Sequence, residues 1–363
     1  MNKLIENVFC LIMAGGSGTR FWPRSKVSRP KQYLRLFGNE SLLQSTVRRS
    51  ESIVPKEKIL IVSSQSQAYV LEEQTPGIPP KNLIYEPVGK NTLPCIGLAA
   101  MIAEKENPDG VMVVSPSDHL IGNTGVFCET VNAAVEIARK RNGIVTIGIT
   151  PAYAATGFGY VQVSGEIEES APIRQFMVNR FVEKPDQATA EKYLDQGGFY
   201  WNSGMFVFKI SVFLQAIREF EPELYSGLRK IQASEGTPEF PHVLDTIYRE
   251  VKSISVDYGI MEHARNLFLV EGNFTWNDLG SWESVYQASV KDGNGNVSDG
   301  ETMFVDSNNS YVYADSGIVS VVGLADVIVV KDGDSILVCR RDKAEAVKGV
   351  VEALKEQNKN HYL

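Results

Sequence analysis

The chain is poor in cysteine, has no excess of basic residues and contains no long apolar run, and each lack sets a limit. The four cysteines, Cys10, Cys95, Cys128 and Cys339, lie far apart and form no CxxC pair. They read as free, mostly buried thiols of a protein in the reducing cytoplasm. The net charge of -8 argues against a broad basic face, and so against a nucleic-acid partner. An anionic ligand would need a local basic pocket instead, for which Arg20, Lys31 and Lys184 are available. The apolar run near the N-terminus reaches Gly15, Gly16 and Arg20 too soon to span a bilayer. It reads as a strand rather than a signal peptide, and no membrane role is expected. No tract of low complexity occurs. What remains, 43% hydrophobic and 22% charged residues over 363 positions, suits a globular enzyme with one large and one smaller domain.

The most informative stretch is LIMAGGSGTRFWPRSKVSRPKQ, Leu11 to Gln32. A buried-looking strand breaks into three glycines, and a proline-punctuated loop follows. Gly15, Gly16 and Gly18 let backbone N–H groups approach a bulky ligand, with Thr19 alongside, while Arg20 and Lys31 add positive charge. A polyphosphate fits that combination. Neither common phosphate loop is present. No Gly-x4-Gly-Lys-Ser/Thr run exists, and Phe21 stands where the dinucleotide fingerprint needs its third glycine.

Strands and helices alternate over the first 150 residues, which predicts a parallel sheet with helices on both faces. Ligands of such sheets bind at the carboxyl ends of the strands, where the glycine loop, Glu86 and Asp118 fall. From Pro151 to Ser289 the pattern is less regular, and the polar stretch Ser226 to Pro241 reads as a mobile helical excursion. Lys291 to Asn296 reads as a linker. Beyond it, short Val/Ile strands at Gly317–Val322, Asp326–Lys331 and Ser335–Cys339 suggest stacked β-coils, and Lys343–Gln357 a final helix. The expected division is a catalytic domain over 1–290 and a β-rich domain with a terminal helix over 291–363.

Several residues could carry chemistry. Asp118, in Pro-Ser-Asp-His, is either a turn residue or a magnesium ligand. Magnesium takes one or two carboxylates, so a partner is needed, and Asp278 in Trp-Asn-Asp-Leu-Gly-Ser-Trp is the candidate. His119 reads as structural. Glu86, in Glu-Pro-Val-Gly-Lys-Asn-Thr, either ends a strand or accepts from the adjacent N–H groups of guanine, with Asn91 close by as a cap or contact. Glu183 and Lys184 are neighbours on a strand end. Strand alternation would point them to opposite sides, so they should not form a simple surface ion pair. Asn202 offers one donor and one acceptor, suited to sugar hydroxyls, and Gly157 would let backbone approach a sugar. Tyr258 and Trp276 read as core or pocket wall.

Together these motifs resemble the sugar-1-phosphate nucleotidyltransferases, through GGSGTRFWP…RPKQ, PSDH, FVEKP, WNSGMF, SVDYGIME and WNDLGSW. The Phe-Trp-Pro and Pro-Lys-Gln flanks most resemble the mannose-1-phosphate guanylyltransferases. The resemblance covers essentially the whole chain. It implies an α/β fold: a Rossmann-like domain with a mixed, mainly parallel sheet, followed by a small β-rich, left-handed β-helix-like domain. It implies GTP and mannose 1-phosphate as substrates and Mg2+ on Asp118 and Asp278. It further implies a base-contacting loop at Glu86, sugar contacts from Glu183 and Asp257, and a sugar-phosphate grip from Lys184. Lys90 departs from the arginine usual in that family, so a phosphate contact there is open. Alternatives within this reading are another sugar 1-phosphate, another base, or a non-catalytic regulatory paralogue. Intact Arg20, Lys31, Asp118, Lys184 and Asp278 disfavour the last. The end of the chain at Leu363 leaves no room for an isomerase domain, so no isomerase activity is expected. The exposed edges of the β-rich part make a homodimer plausible.

Overall fold

Short runs of Val, Ile and Leu bounded by turn residues become strands throughout a computed structural model that describes residues 6–16, 18–168 and 170–363. Ser17, inside the glycine loop, lies outside the described residues. The strands are β1 (Val8–Met13), β2 (Ile59–Ser64), β3 (Leu83–Glu86), β4 (Val111–Pro116), β5 (Leu120–Ile121), β6 (Ile144–Ile149), β7 (Tyr160–Glu166) and β8 (Gln175–Val182). They continue with β9 (Phe199–Lys209), β10 (Leu267–Glu271), β11 (Trp276–Asn277), β12 (Val297–Val305), β13 (Tyr311–Val322), β14 (Val327–Asp332) and β15 (Ser335–Arg340). Contacts divide the chain into two units interleaved in sequence. One holds the chain up to Gly15, Thr46–Ser117 and Ile121–Trp276; the other holds Gly16–Ser45, Asp118–Leu120 and Asn277–Leu363.

The first unit is built on a nine-stranded sheet of order β3-β2-β1-β4-β9-β6-β10-β8-β7. β3, β2, β1 and β4 are parallel, as the alternation of the first 150 residues predicts. β9 runs antiparallel between β4 and β6, β10 is parallel to β6, and β8 and β7 add antiparallel pairings at the edge. Only β9 and β8 run against the rest, so the sheet is mixed and mainly parallel. The helix Thr92–Glu106 is buried nearly all round, with Leu93, Ile96, Ala100 and Met101 inside together with Cys95, Leu98 and Ala99. Such a helix must be covered on several sides.

That cover corrects the reading of Ser226 to Pro241 as an excursion. The helices Pro222–Ser234 and Phe240–Glu250 are amphipathic, and Leu224, Leu228, Ile231 and Tyr248 lie in the main core. The polar residues that dominate the composition are simply those on the outer faces.

In the second unit the flanks of the glycine loop share one core with the C-terminal strands. Phe21, Trp22, Leu34 and Leu36 pack with Trp282, Tyr311, Ile328, Val330 and Val347. Trp282 Nε1 donates to the Trp22 carbonyl at 3.1 Å, and Trp22 Nε1 donates to the Tyr362 carbonyl at 3.0 Å. β12, β13 and β14 are parallel and β15 is antiparallel to β14, a β-helix-like arrangement. Sequence reading missed β12 because Ser298-Asp299-Gly300-Glu301 is polar. There the register shifts at a bulge, and Gly300 takes φ +99°. Lys291–Asn296 forms a hydrogen-bonded turn. The Asp292 carboxylate accepts from the Asn294 and Asn296 N–H groups at 2.9 and 2.7 Å, and Asn296 is buried. The terminal helix is a 3-10 stretch, Arg341–Ala346, leading into Val347–Glu356. All four cysteines are free, three of them buried. Among the described residues no helix is long and apolar enough to cross a membrane.

Candidate active site

Of the groups proposed for phosphate, Gly16, Gly18, Thr19, Arg20 and Lys31 belong to the second unit, and Gly15 and Lys184 to the first. Gly18 takes φ +58°, and a Cβ there would lie 2.3 Å from Lys31 Cβ and 2.8 Å from Lys31 N. Only glycine allows both the left-handed turn and this approach. Gly16 meets nothing within 4 Å of an added Cβ, so it fronts open space. Thr19 begins the turn Thr19–Phe21 that carries Arg20. Gln32 Nε2 donates to the Gly16 carbonyl at 3.1 Å and ties the loop to the Pro-Lys-Gln motif, a link sequence reading did not anticipate. Gly18→Ala is expected to abolish most turnover by displacing Lys31, while far-UV circular dichroism stays unchanged.

Lys31 is 5% exposed, unusually deep for a lysine. Its Nζ donates to Asp118 Oδ2 at 2.9 Å and to the Asp278 backbone carbonyl at 2.6 Å. Burial pushes the Asp118 carboxyl up, but Lys31 and then His119 outweigh it and hold the group below its ordinary value. The Asp278 carboxyl is raised, first by burial and then by the charges of Asp118 and Glu345, with Lys31 opposing. The Asp118 and Asp278 carboxyl groups thus both lie within electrostatic reach of one buried ammonium. No group of three or more His, Cys, Asp or Glu side chains placed to hold a metal occurs among the described residues. Two oxygen-donor carboxylates are nonetheless what magnesium takes from a protein when phosphates and waters fill its other positions.

In the first unit Glu86 ends β3 and is 4% exposed. Its Oε1 has no hydrogen-bond partner, and its Oε2 lies 3.5 Å from where a Gly15 Cβ would stand. Burial pushes this carboxyl up to about 7, with the Tyr248 hydroxyl pulling the other way. Asn91 caps the helix Thr92–Glu106, its Oδ1 accepting from Thr92 N at 2.9 Å. Lys90 donates to the carbonyls of Arg249 and Val251 at 2.8 and 2.9 Å, at the end of the helix that presents Tyr248. Lys90 is therefore engaged with a helix terminus, as expected of a cation there.

The residues proposed for the sugar form a second group in the same unit. Asn202 Nδ2 donates to Asp257 Oδ1 at 3.0 Å, and Asn202 Oδ1 accepts from Thr146 Oγ1 at 3.0 Å. Lys184 Nζ donates to Glu183 Oε1 at 2.7 Å. The two side chains pair although strand alternation would separate them, and with the Glu183 side chain 8% exposed the pair is not a simple surface one. β8 stops at Val182, and Lys184 takes φ +43°, so the alternation of a strand no longer holds where the pair forms. Gly157 faces open space, whereas a Cβ on Gly159 would stand 2.5 Å from Glu183 Oε2. It is Gly159 that makes room for the glutamate. Burial, and then the Glu183 charge, push the Asp257 carboxyl up to about 6, with Lys184 acting against them. Asp257 opens a π-helical turn, Asp257–Met261, a geometry frequent at functional sites and invisible in the sequence. Tyr258 on that turn is 50% exposed and so is not core. Trp276 is half-buried against Phe158, with ring centroids 5.2 Å apart.

Residues 9–295 match the nucleotidyl transferase family, and residues 300–354 match the mannose-phosphate isomerase/GMP-like β-helix domain. Mannose-1-phosphate guanylyltransferase 2 of Escherichia coli O157:H7 is 36% identical over 98% of this chain and 75% of its own length. The chain belongs to the nucleotidyl transferase family and, within it, to the mannose-1-phosphate guanylyltransferases. The xanthan biosynthesis protein XanB of Xanthomonas campestris pv. campestris (strain B100) is likewise 36% identical over 98% of this chain and 75% of its own. Among solved structures, the mannose-1-phosphate geranyltransferase of Thermus thermophilus superposes with a TM-score of 0.88 at 32% identity, covering 96% of this chain and 99% of that one. This guanylyltransferase-family chain thus spans about three quarters of the length of the curated relatives it matches.

Proposed function

We propose that the chain transfers GMP from GTP to α-D-mannose 1-phosphate, giving GDP-mannose and diphosphate. The observation that carries the guanine choice is the buried Glu86 carboxylate, whose unpartnered Oε1 is a costly feature without a ligand to donate to it. Guanine presents N1–H and an exocyclic amino group side by side, and one carboxylate accepts both.

In this reading an oxygen of mannose 1-phosphate attacks the α-phosphorus of GTP. The new P–O bond forms as the bond from that phosphorus to the bridging oxygen breaks, and diphosphate leaves on the opposite side. The attacking phosphate is already nucleophilic, so the protein's part is positioning and charge neutralisation. The Gly15–Gly18 backbone, Thr19 and Arg20 hold the triphosphate and the departing diphosphate. Lys31 neutralises charge near the α-phosphate, and Lys184 orients the attacking phosphate. Glu183, Asn202, Asp257 and the Gly157 backbone hold the sugar, and Asn91 supports the nucleotide side. Asp118 and Asp278 would hold magnesium, which when bound supplies neutralisation of phosphate charge.

The division into a catalytic domain over 1–290 and a β-rich domain over 291–363 belongs to the same proposal, as do a homodimer and a cytoplasmic setting suited to four free thiols. The test is diphosphate release across a matrix of nucleoside triphosphates and sugar 1-phosphates. The pairing of GTP with mannose 1-phosphate is expected to dominate. Release with another pairing and none with this one would reject the assignment.

A further inference from the structure

The β-helix-like part places an acid on the phosphate-binding loop of its own unit. Arg20 Nε lies 2.8 Å from Glu345 Oε2. The side chains are 49% and 67% exposed, so the pair adds little to stability. Its position is what matters. Glu345 sits on the turn Arg341–Ala346, and Arg341 holds that turn firmly. Its Nε and Nη2 donate to the two Glu283 carboxylate oxygens at 2.8 and 2.7 Å, and its guanidinium stacks 3.7 Å from the Tyr286 ring centre. Ala344, one residue before Glu345, is buried in the shared core. A Cβ added to Gly280 would lie 3.3 Å from Asp278 Oδ2 and 3.8 Å from Glu345 Oε1. The two carboxylates therefore flank one point of the backbone.

We propose that Glu345 is a specificity-determining residue that makes this site accept a magnesium-complexed polyphosphate and reject a bare one. The proposal rests on the nucleotidyl-transfer reading above. Without substrate, Glu345 occupies the guanidinium that the triphosphate needs. Asp118, Asp278 and Glu345 bring three negative charges against the two positive charges of Arg20 and Lys31. A bare triphosphate must displace Glu345 from Arg20 and also meet two aspartates. A magnesium-complexed triphosphate arrives with half the net charge, and its cation offsets the aspartates. Glu345 acts here through charge and through its hold on Arg20. It is not proposed as a metal ligand, in keeping with the lack of a three-acid cluster among the described residues.

The test is calorimetric binding of inorganic diphosphate to the wild type, Glu345→Gln and Glu345→Asp, with EDTA and with excess magnesium. Glu345→Gln is expected to bind metal-free diphosphate about two- to fivefold tighter than the wild type, the scale of one exposed charge contact. Excess magnesium should largely remove that difference, and Glu345→Asp should behave as the wild type. Equal or weaker metal-free binding by Glu345→Gln, with both proteins binding measurably, would overturn the role of Glu345 alone. Failure of all three proteins to bind diphosphate under either condition would remove the phosphate assignment of the loop, and this proposal with it. Matching unfolding temperatures establish that the variants are folded, as expected for so exposed a side chain.

Discussion

Asp118→Asn is expected to lower kcat by about 10²–10³-fold while the unfolding temperature moves by only a few degrees. The asymmetry follows from the local contacts. Asparagine keeps an oxygen that can accept from Lys31 Nζ, now 2.9 Å from Asp118 Oδ2, and Lys31 retains its 2.6 Å bond to the Asp278 carbonyl. The packing around Lys31 therefore survives. What is lost is one of two carboxylates, and with it the charge that favours a cation beside phosphates. KM for mannose 1-phosphate should change far less than kcat, because Glu183, Asn202 and Asp257 are untouched. Steady-state kinetics over a magnesium titration, alongside thermal melts, decide the matter. An Asp118→Asn enzyme of near-normal kcat would remove the metal assignment.

Glu86→Gln should lose guanine recognition and gain stability together. The glutamine has one oxygen where the carboxylate has two, and no charge, so kcat/KM for GTP should fall by about ten- to a hundredfold. Activity with ATP, which lacks the paired donors, should change little. The pH dependence has a definite sign. The carboxyl stands at about 7 in the folded chain against an ordinary value of 4.5. Only the ionised form accepts both guanine N–H groups, so wild-type kcat/KM for GTP should fall as pH drops below about 7, and the variant should lack that limb. Stability runs the opposite way. Between about 4.5 and 7 the folded state holds a proton that the unfolded state has released. The wild type is therefore relatively more stable on the acid side and loses stability as pH rises through that window. The loss is on the order of 3 kcal/mol. Glu86→Gln removes the ionisation, so its melting temperature should exceed the wild type's at pH 8 and converge with it near pH 4. A residue that costs stability and confers selectivity is a mark of a functional site.

The motifs proposed to bear chemistry are legible because short stretches of chain fix them. Gly18, Lys31, Asp118 and Asp278 were each named from local pattern, and in the fold they gather around one buried ammonium. The parallel half of the sheet was legible too, since strand and helix alternate strictly there. Long-range insertion was not. β9 enters the middle of the sheet antiparallel, and no local pattern announces which neighbours a strand will take. Two features escaped because they are backbone conformations rather than residue types: the left-handed Lys184, which lets it pair with Glu183, and the π-helical turn at Asp257. Glu345 escaped for another reason. It is one glutamate in a charged C-terminal stretch, and only the packing of Phe21 and Trp22 with Val347 and its neighbours brings it to Arg20. Composition likewise misjudged Ser226–Pro241, whose apolar minority is what faces the core.

Phosphorus-31 NMR of the protein with GTP, mannose 1-phosphate and magnesium tests the central claim most directly. The account predicts that the mannose 1-phosphate resonance disappears as the paired resonances of a sugar nucleoside diphosphate and the resonance of diphosphate grow in, one of each per sugar phosphate consumed. Unchanged spectra, or orthophosphate with no sugar nucleotide, would contradict it.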